Sequence, residues 1–325
     1  MNVLGIFSVE QFFSVAKPLR TATEIPFGIS AILANLEQAG FVTDLIVLTP
    51  ISPFHEMLRE SIRVFQPRMV CLTAVSTQYQ LILGVARILR QINPSLFIII
   101  GGHYASLNST EVINESCIDA VCIGEGDHAI VELARRIEAN RTPSGIPGLW
   151  IKHNDGSIEK NPLDRFITNL DSLPWINRRL WSQWIYDSND MPSVLVGRGC
   201  PYQCTYCSNH AMAGLTKGKY VRFRSVDNLI SEVDQIVKDS PDVRIIYLEV
   251  ETIGAFPDYC IELAEKLIIF NGKREKPLQF GANISPTRRL FSDKKRAENI
   301  LSLFAKAGFV FLNIGLESGS ERIRK

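Results

Sequence analysis

Apolar residues in the first 140 positions fall into two alternating kinds of cluster. Short apolar runs at 3–7, 42–48, 69–75, 96–100 and 120–123 predict strands buried on both faces. Between them the spacing changes. Ile29, Ile32, Leu33 and Leu36 repeat at i, i+3, i+4, i+7, with Gly40 as a stop, and Val85, Ile88, Leu89 and Ile92 follow the same rule, as do Ile130, Leu133, Ala134 and Ile137. Parallel strands need crossover helices, so five such units predict an open, doubly wound parallel sheet. Ligands of such sheets sit beyond the carboxyl ends of the strands, where the strand order reverses.

The texture then changes. Residues 142–174 hold four prolines and an Asp155-Gly156 pair following Leu149-Trp150-Ile151, a pattern that predicts a hairpin and then an irregular linker. From Ser193 the alternation resumes, with strands at 193–196, 243–248, 279–282 and 310–314 and helices near 226–239, 257–271 and 295–307. Leu229, Val233, Ile236 and Val237 line one face of the first helix, and Ser225 suits its N-cap. This is the start of a β/α barrel. The fold class is therefore α/β: a Rossmann-like, doubly wound parallel sheet over 1–140, a hairpin and linker over 141–190, and an incomplete (β/α) barrel over 191–325.

Composition narrows the function classes. The 325 residues carry 35 basic and 34 acidic side chains, a net charge of +1, so no strong field draws in bulk nucleic acid or an anionic membrane. The longest apolar runs are strand-sized, which predicts no membrane span, and the first residues lack the features of a signal peptide, so a cytoplasmic location is expected. Seven cysteines in such a chain argue for metal or catalysis before disulfides. Cys71, Cys117, Cys122 and Cys260 stand singly among apolar residues and read as small buried hydrophobes.

Cys200, Cys204 and Cys207 differ. They form C-x3-C-x2-C in Gly199-Cys200-Pro201-Tyr202-Gln203-Cys204-Thr205-Tyr206-Cys207, directly after a predicted strand. Cysteines scattered at roughly 2% frequency would meet partners at both +4 and +7 only about once in 2,000 trials. Thiolates suit iron–sulfur clusters and zinc. A structural zinc wants four protein ligands, and His210 could be the fourth. The other reading is a four-iron cluster whose fourth iron lacks a protein ligand and can take a small molecule.

The loop, with aromatic Tyr206 before its last cysteine, resembles the signature of radical S-adenosylmethionine (SAM) enzymes. The resemblance implies a [4Fe-4S] cluster on Cys200, Cys204 and Cys207. Its open iron chelates SAM, and one electron from it cleaves the sulfonium to give a 5′-deoxyadenosyl radical. Two more strand ends agree. Gly315-Leu316-Glu317-Ser318-Gly319-Ser320 is similar to the family's motif after the fourth barrel strand, which implies SAM contacts from Gly315, Glu317 and Ser318; an ordinary helix N-cap by Ser318 or Ser320 is the alternative. Glu249 or Glu251, at the end of the second strand, is implied as partner of the SAM amino group. Arg222 and Arg224 read as a solvated strand edge or as partners of an anion.

The N-terminal domain resembles the cobalamin-binding domain that precedes many radical SAM domains. Gly101-Gly102-His103 and Gly124-Glu125-Gly126-Asp127 end its fourth and fifth strands, and Ser76-Thr77 follows the third. Paired glycines there let a flat ligand approach the backbone. The implied cobalamin contacts are Ser76, Gly101, Gly102, Gly124 and Gly126. The connector, Ile146-Pro147-Gly148-Leu149 and Leu170-Asp171-Ser172-Leu173-Pro174, is also similar to the family's. No Asp-x-His-x-x-Gly occurs, so the usual histidine ligand to cobalt is missing, and His103 is a poor substitute. A rival reading of Gly124 to Ala129 as a dinucleotide fingerprint lacks the further strand with a terminal acid.

The resemblance implies a cobalamin-dependent radical SAM enzyme acting on a small-molecule substrate, with an electron donor such as flavodoxin or ferredoxin. Methylation of an unactivated carbon is the expected reaction. The alternatives are a cyclisation or oxidation without methyl transfer, and a non-catalytic corrinoid- or metal-binding module. The last is considered because the chain stops at Lys325, where the family's barrel needs further βα units, so either a fragment or a degenerate protein is expected.

Overall fold

The computed structural model describes residues 1–187, 190–285, 288–315 and 318–324. Two compact units emerge. The first comprises Met1–Arg20, Glu24–Tyr186 and Gln203–Lys219, and the second Thr21–Thr23, Asp187–Tyr202 and Tyr220–Lys325.

The first unit is built on strands β1 (Asn2–Ser8), β2 (Leu19–Thr21), β3 (Val42–Leu48), β4 (Met69–Thr73), β5 (Phe97–Gly101), β6 (Ala120–Cys122), β7 (Leu149–Lys152), β8 (Ile158–Lys160) and β9 (Ile185–Asp187). Seven of these form one sheet in the order β3-β1-β4-β5-β6-β7-β8, and β2 and β9 form a separate ribbon. The pairings from β3 through β6 are parallel, and β7 and β8 add antiparallel strands at the edge. The predicted hairpin, turning at Asp155-Gly156 with Gly156 at φ +83°, thus extends the sheet.

Helices α1 (Phe27–Gln38), α2 (Phe54–Phe65), α3 (Tyr79–Ile92), α4 (His103–Leu107), α5 (Ser109–Asn114) and α6 (Asp127–Glu138) cover that sheet, with short α7 (Arg179–Ser182) and α8 (Asn209–Ala213). Leu4, Ile6, Val70, Leu72, Ile98 and Ile100 project to α2 and α3 in one fully buried cluster. The opposite face packs on α1. A Cβ on Gly5 would lie 2.9 Å from Leu33, so the glycine lets that helix sit close. Both faces are dry, which is why these strands read as continuous apolar runs. The order reverses between β1 and β4.

The second unit is a four-stranded parallel sheet, β10 (Ser193–Leu195), β13 (Ile245–Glu249), β14 (Gln279–Asn283) and β15 (Phe309–Asn313), plus an antiparallel pair, β11 (Gly197–Arg198) with β12 (Arg222–Phe223). Helices α9 (Val226–Asp239), α10 (Pro257–Gly272) and α12 (Lys294–Ala307) bury Val194, Ile246, Leu248, Phe280 and Ala282 from one side only; α11 (Arg288–Phe291) and α13 (Glu321–Arg324) are single turns. Ser225 caps α9 as its sequence predicts, its side chain accepting from the Asn228 N–H. At the amino end of the sheet, buried Asn271 donates to the carbonyls of Leu278 (2.9 Å) and Ala307 (3.0 Å) and accepts from the Leu278 N–H (2.9 Å). Gly308 closes α12 at φ +100°, with its missing Cβ 2.7 Å from the same Leu278 carbonyl.

Candidate functional site

In the second unit the side of the sheet turned away from the helices carries the chemistry. Strand residues alternate faces, so with Ile246, Leu248, Phe280 and Ala282 in the core, Tyr247, Glu249, Gly281, Asn283, Phe311 and Asn313 point the other way. Register aligns them in two rows. The lower row is Ser193, Tyr247, Gly281 and Phe311; the upper row, at the carboxyl end, is Leu195, Glu249, Asn283 and Asn313.

Gly281 is empty of necessity, since its Cβ would stand 2.1 Å from the Phe311 ring, which lies across it and stacks on Tyr247 at 5.9 Å and 17°. The Tyr247 hydroxyl donates to Asn283 Oδ1 (2.6 Å) and accepts from Asn313 Nδ2 (3.2 Å), so one phenol fixes an amide on each of the next two strands. Burial raises the Tyr247 pKa, keeping the hydroxyl protonated.

Glu249 ends the upper row half-buried, while Glu251 is exposed. Burial, with the nearby charge of Glu251 adding to it, pushes the Glu249 carboxyl up to about 6. A carboxylate so poised gains by meeting a cation, and the neighbouring amides offer both donors and acceptors. Of the two acids named from the sequence, Glu249 shares the row with Asn283 and Asn313. Those asparagines, and Tyr247 beneath them, escaped the sequence reading. Their signal was an asparagine closing a short strand, repeated in Gln279–Asn283 and Phe309–Asn313. Gly315 follows β15 and is exposed, and Ser318 accepts from the Ser320 N–H at 3.1 Å. Glu317 lies outside the described residues.

Cys200 leaves β11 half-buried at this carboxyl end. Further along the loop, Cys204 is exposed, Cys207 is half-buried, and Tyr206 is 68% exposed. The Cys207 N–H donates to the Cys204 carbonyl (3.0 Å), closing a turn, and Cys207 Sγ accepts from Asn209 N (3.5 Å) and Nδ2 (3.6 Å). Among the described residues no group of three or more His, Cys, Asp or Glu side chains is drawn together around a metal position, His210 included. As a donor set, three thiols on one loop with N–H donors at the last sulfur fit an iron–sulfur cluster. The other four cysteines are buried, and burial raises the pKa of each thiol, as their isolated apolar positions predict.

Arg222 and Arg224 do not form a solvated edge. They are 3% and 7% exposed, with Arg222 held in the β11–β12 pairing and α9 supplying Glu232 as a buried partner for Arg224.

In the first unit, a cleft of about 770 Å³ opens where β1 and β4 diverge, lined by Phe7, Val9, Phe12, Phe13, Arg20 and Gln78 among others. Gln78 is fixed there by donating from Nε2 to the Ser8 carbonyl at 2.7 Å. This is the switch point of the sheet, the expected place for a ligand. Its wall mixes aromatic side chains with polar ones. Ser76 is exposed on the nearby β4–α3 turn, and His103 is exposed at the start of α4.

The glycines at the other strand ends are explained by the protein's own packing. A Cβ on Gly102 (φ +93°) would lie 2.8 Å from both the Ala74 carbonyl and Thr73 Oγ1. One on Gly124 (φ +71°) would lie 2.7 Å from Leu163, and one on Gly126 2.7 Å from Cys122 Sγ. Gly101 has looser surroundings, 3.5 Å from Cys122. Ser106 ties the two turns together, donating to the Gly102 carbonyl (2.9 Å) and accepting from the Gly124 N–H (2.9 Å). Within this unit α8, just after Cys207, packs on α4, just after Gly102.

Comparisons with known proteins place both units. Residues 20–134 match the family model described as the B12 binding domain, and residues 194–325 match the Radical SAM superfamily. Among curated proteins the chain is similar to the anaerobic magnesium-protoporphyrin IX monomethyl ester cyclase of Rubrivivax gelatinosus, 26% identical over 90% of this chain and 51% of that protein. It is also similar to an uncharacterized methyltransferase of Pyrococcus horikoshii, 27% identical over 81% of this chain and 54% of that protein. The chain thus spans about half the length of the curated relatives it matches. Among solved structures, the radical S-adenosylmethionine methyltransferase TsrM from Kitasatospora setae superposes with a TM-score of 0.72 at 15% identity, over 98% of this chain and 60% of that one. The cobalamin-dependent S-adenosylmethionine radical enzyme OxsB gives 0.75 at 16%, over 99% and 44%. At these identities the two structures speak for the fold, and they agree with a Rossmann-like domain followed by a radical SAM domain. No helix among the described residues is long and apolar enough to cross a membrane.

Proposed function

Since the chain belongs to the radical SAM superfamily and carries a B12 binding domain ahead of its radical SAM domain, we propose that it acts in cobalamin-dependent radical SAM methylation of an unactivated carbon of a small-molecule substrate. Cys200, Cys204 and Cys207 hold a [4Fe-4S] cluster. Glu249, Asn283 and Asn313 receive SAM, with Gly315, Glu317 and Ser318 completing its site, and the cleft between β1 and β4 takes the corrin. When bound, the cluster delivers one electron to the SAM sulfonium and the corrin carries a transferable methyl group; a flavodoxin or ferredoxin supplies the electrons.

The observation that carries this reading is that Cys200 and the polar row of Glu249, Asn283 and Asn313 open at the same carboxyl end of one sheet, the end at which barrel enzymes place their chemistry. Glu249 acts as an ionised acceptor for an ammonium group, whose approach lowers its raised pKa and secures the charge. Asn283 and Asn313, oriented by Tyr247, offer hydrogen bonds to ribose or carboxylate oxygens.

A second reading, cyclisation or oxidation without methyl transfer, is favoured by the similarity to the magnesium-protoporphyrin ester cyclase over 300 residues. The protein reconstituted anaerobically with iron, sulfide, SAM and cobalamin separates the two. Formation of S-adenosylhomocysteine together with 5′-deoxyadenosine supports methylation, and 5′-deoxyadenosine alone supports the second reading. A preparation that holds one zinc and never cleaves SAM overturns both.

A further inference from the structure

The cysteine loop is closed at its base by a short clamp. Leaving β10, the chain pairs Gly197 with Phe223 and Arg198 with Arg222 in a two-residue antiparallel ladder, and the loop runs between these strands. The approach is close enough to demand glycine twice. A Cβ on Gly197 would lie 2.5 Å from the Arg222 carbonyl, and one on Gly199, at φ +86°, would lie 2.5 Å from the Tyr220 carbonyl. Phe223 is wedged edge-on between Phe256 and Tyr259, both at 4.9 Å.

Arg224 fastens this base from behind. Its backbone N–H donates to the Val196 carbonyl (2.9 Å), and its Nη1 donates to the Leu195 carbonyl (2.9 Å), the last residue of β10. Nε and Nη2 both reach Asn228 Oδ1, and Nη1 pairs with Glu232 Oε2, all on α9. The ion pair is shut from water, with side chains 8% and 5% exposed. A buried arginine whose fork is shared among a strand carbonyl, a helix amide and a helix carboxylate fixes three pieces of chain in one geometry.

We infer that Arg224 is a positioning residue for the cysteine loop, holding the strand end before Cys200 and the strand after the loop in register through Leu195, Val196, Asn228 and Glu232, so that the three thiols meet one cluster. The inference rests on the proposal that this loop holds an iron–sulfur cluster. Groups that orient ligands from outside a metal site typically change metal affinity by about 10- to 100-fold when lost.

The test compares the reconstituted protein with three variants. Arg224→Lys keeps the charge for Glu232 but loses the fork to Leu195 and Asn228. Arg224→Met combined with Glu232→Met removes the pair without stranding a buried charge. Gly199→Ala strains the base without touching the pair. For variants whose thermal unfolding lies within a few degrees of wild type, the half-life of the cluster's visible absorption under an iron chelator is expected to fall about tenfold or more. The reduced cluster's electron paramagnetic resonance spectrum is expected to broaden and to respond less to added SAM. Half-lives and spectra equal to wild type in the folded variants overturn the positioning role while leaving the cluster assignment intact. A wild-type protein that takes up no cluster overturns both.

Discussion

The two sheets of this molecule solve the same packing problem in opposite ways. The first covers both faces with helices, and a cleft opens at its carboxyl edge where β1 and β4 diverge. Its glycines at strand ends are filled by its own atoms, as at Gly102 and Gly126. The second covers one face and leaves the other to an aromatic layer topped by a polar row. The difference shows in the strands. Ile98, Ile99 and Ile100 are all buried in β5, whereas Tyr247 to Glu249 in β13 alternates between a hydroxyl or carboxylate side and an apolar side. A doubly covered sheet works at its rim, and a singly covered one can work across its face.

The largest expected effect concerns the loop that departs from the second sheet. Alanine at Cys200, Cys204 or Cys207 is expected to abolish the iron–sulfur absorption after anaerobic reconstitution, and with it SAM cleavage; retention of both by any of the three variants would remove that cysteine from the ligand set.

Next come the glycines that distinguish the sheets. Gly281→Ala puts a methyl into the Phe311 ring and is expected to cost about 1–3 kcal/mol in urea unfolding and to weaken SAM binding by displacing the layer under the polar row. Gly102→Ala meets backbone at φ +93° and is expected to cost about 1–3 kcal/mol while sparing SAM affinity. Equal SAM affinities in the two variants would erase the contrast between rim and face.

A smaller effect has a definite pH signature. Glu249 titrates near 6 in the folded chain against 4.5 as its ordinary value. The fold therefore favours the protonated form, and the stability this contributes is complete below pH 4.5 and lost as pH rises through 6. The raised pKa is equivalent to at most about 2 kcal/mol. Glu249→Gln is expected to unfold at higher urea than wild type at pH 7.5, with the advantage vanishing below pH 4.5, and to bind SAM more weakly. A variant no more stable at pH 7.5 contradicts the strained carboxylate. The smallest effect is Tyr247→Phe, which strips a partner from Asn283 and Asn313 and is expected to cost about 1 kcal/mol by thermal unfolding.

Much of the fold was legible because its signals are local. Val42–Leu48 and Val226–Asp239 have the predicted bounds, since an apolar run and an amphipathic stretch with a serine cap each carry their own punctuation. Helix α2 was also there to be read, with Phe54, Leu58, Ile62 and Phe65 at helical spacing among charged residues. The cysteine loop stood out by spacing alone. What depended on distant partners was not legible. Arg224 looked solvated because Glu232, the Leu195 carbonyl and the β11–β12 turn that bury it come together only in three dimensions. Asn283 and Asn313 are ordinary strand endings until register sets them beside Glu249.

The Asn271 amide has a consequence for how the second unit comes apart. One side chain joins the end of α10, the start of β14 and the end of α12, so none of these can fray at that end without breaking the other two contacts. The Leu278 amide proton is therefore expected to exchange with deuterium only through global opening and to rank among the slowest in the chain. The amino end of the sheet is thus sealed by one amide shared among three elements.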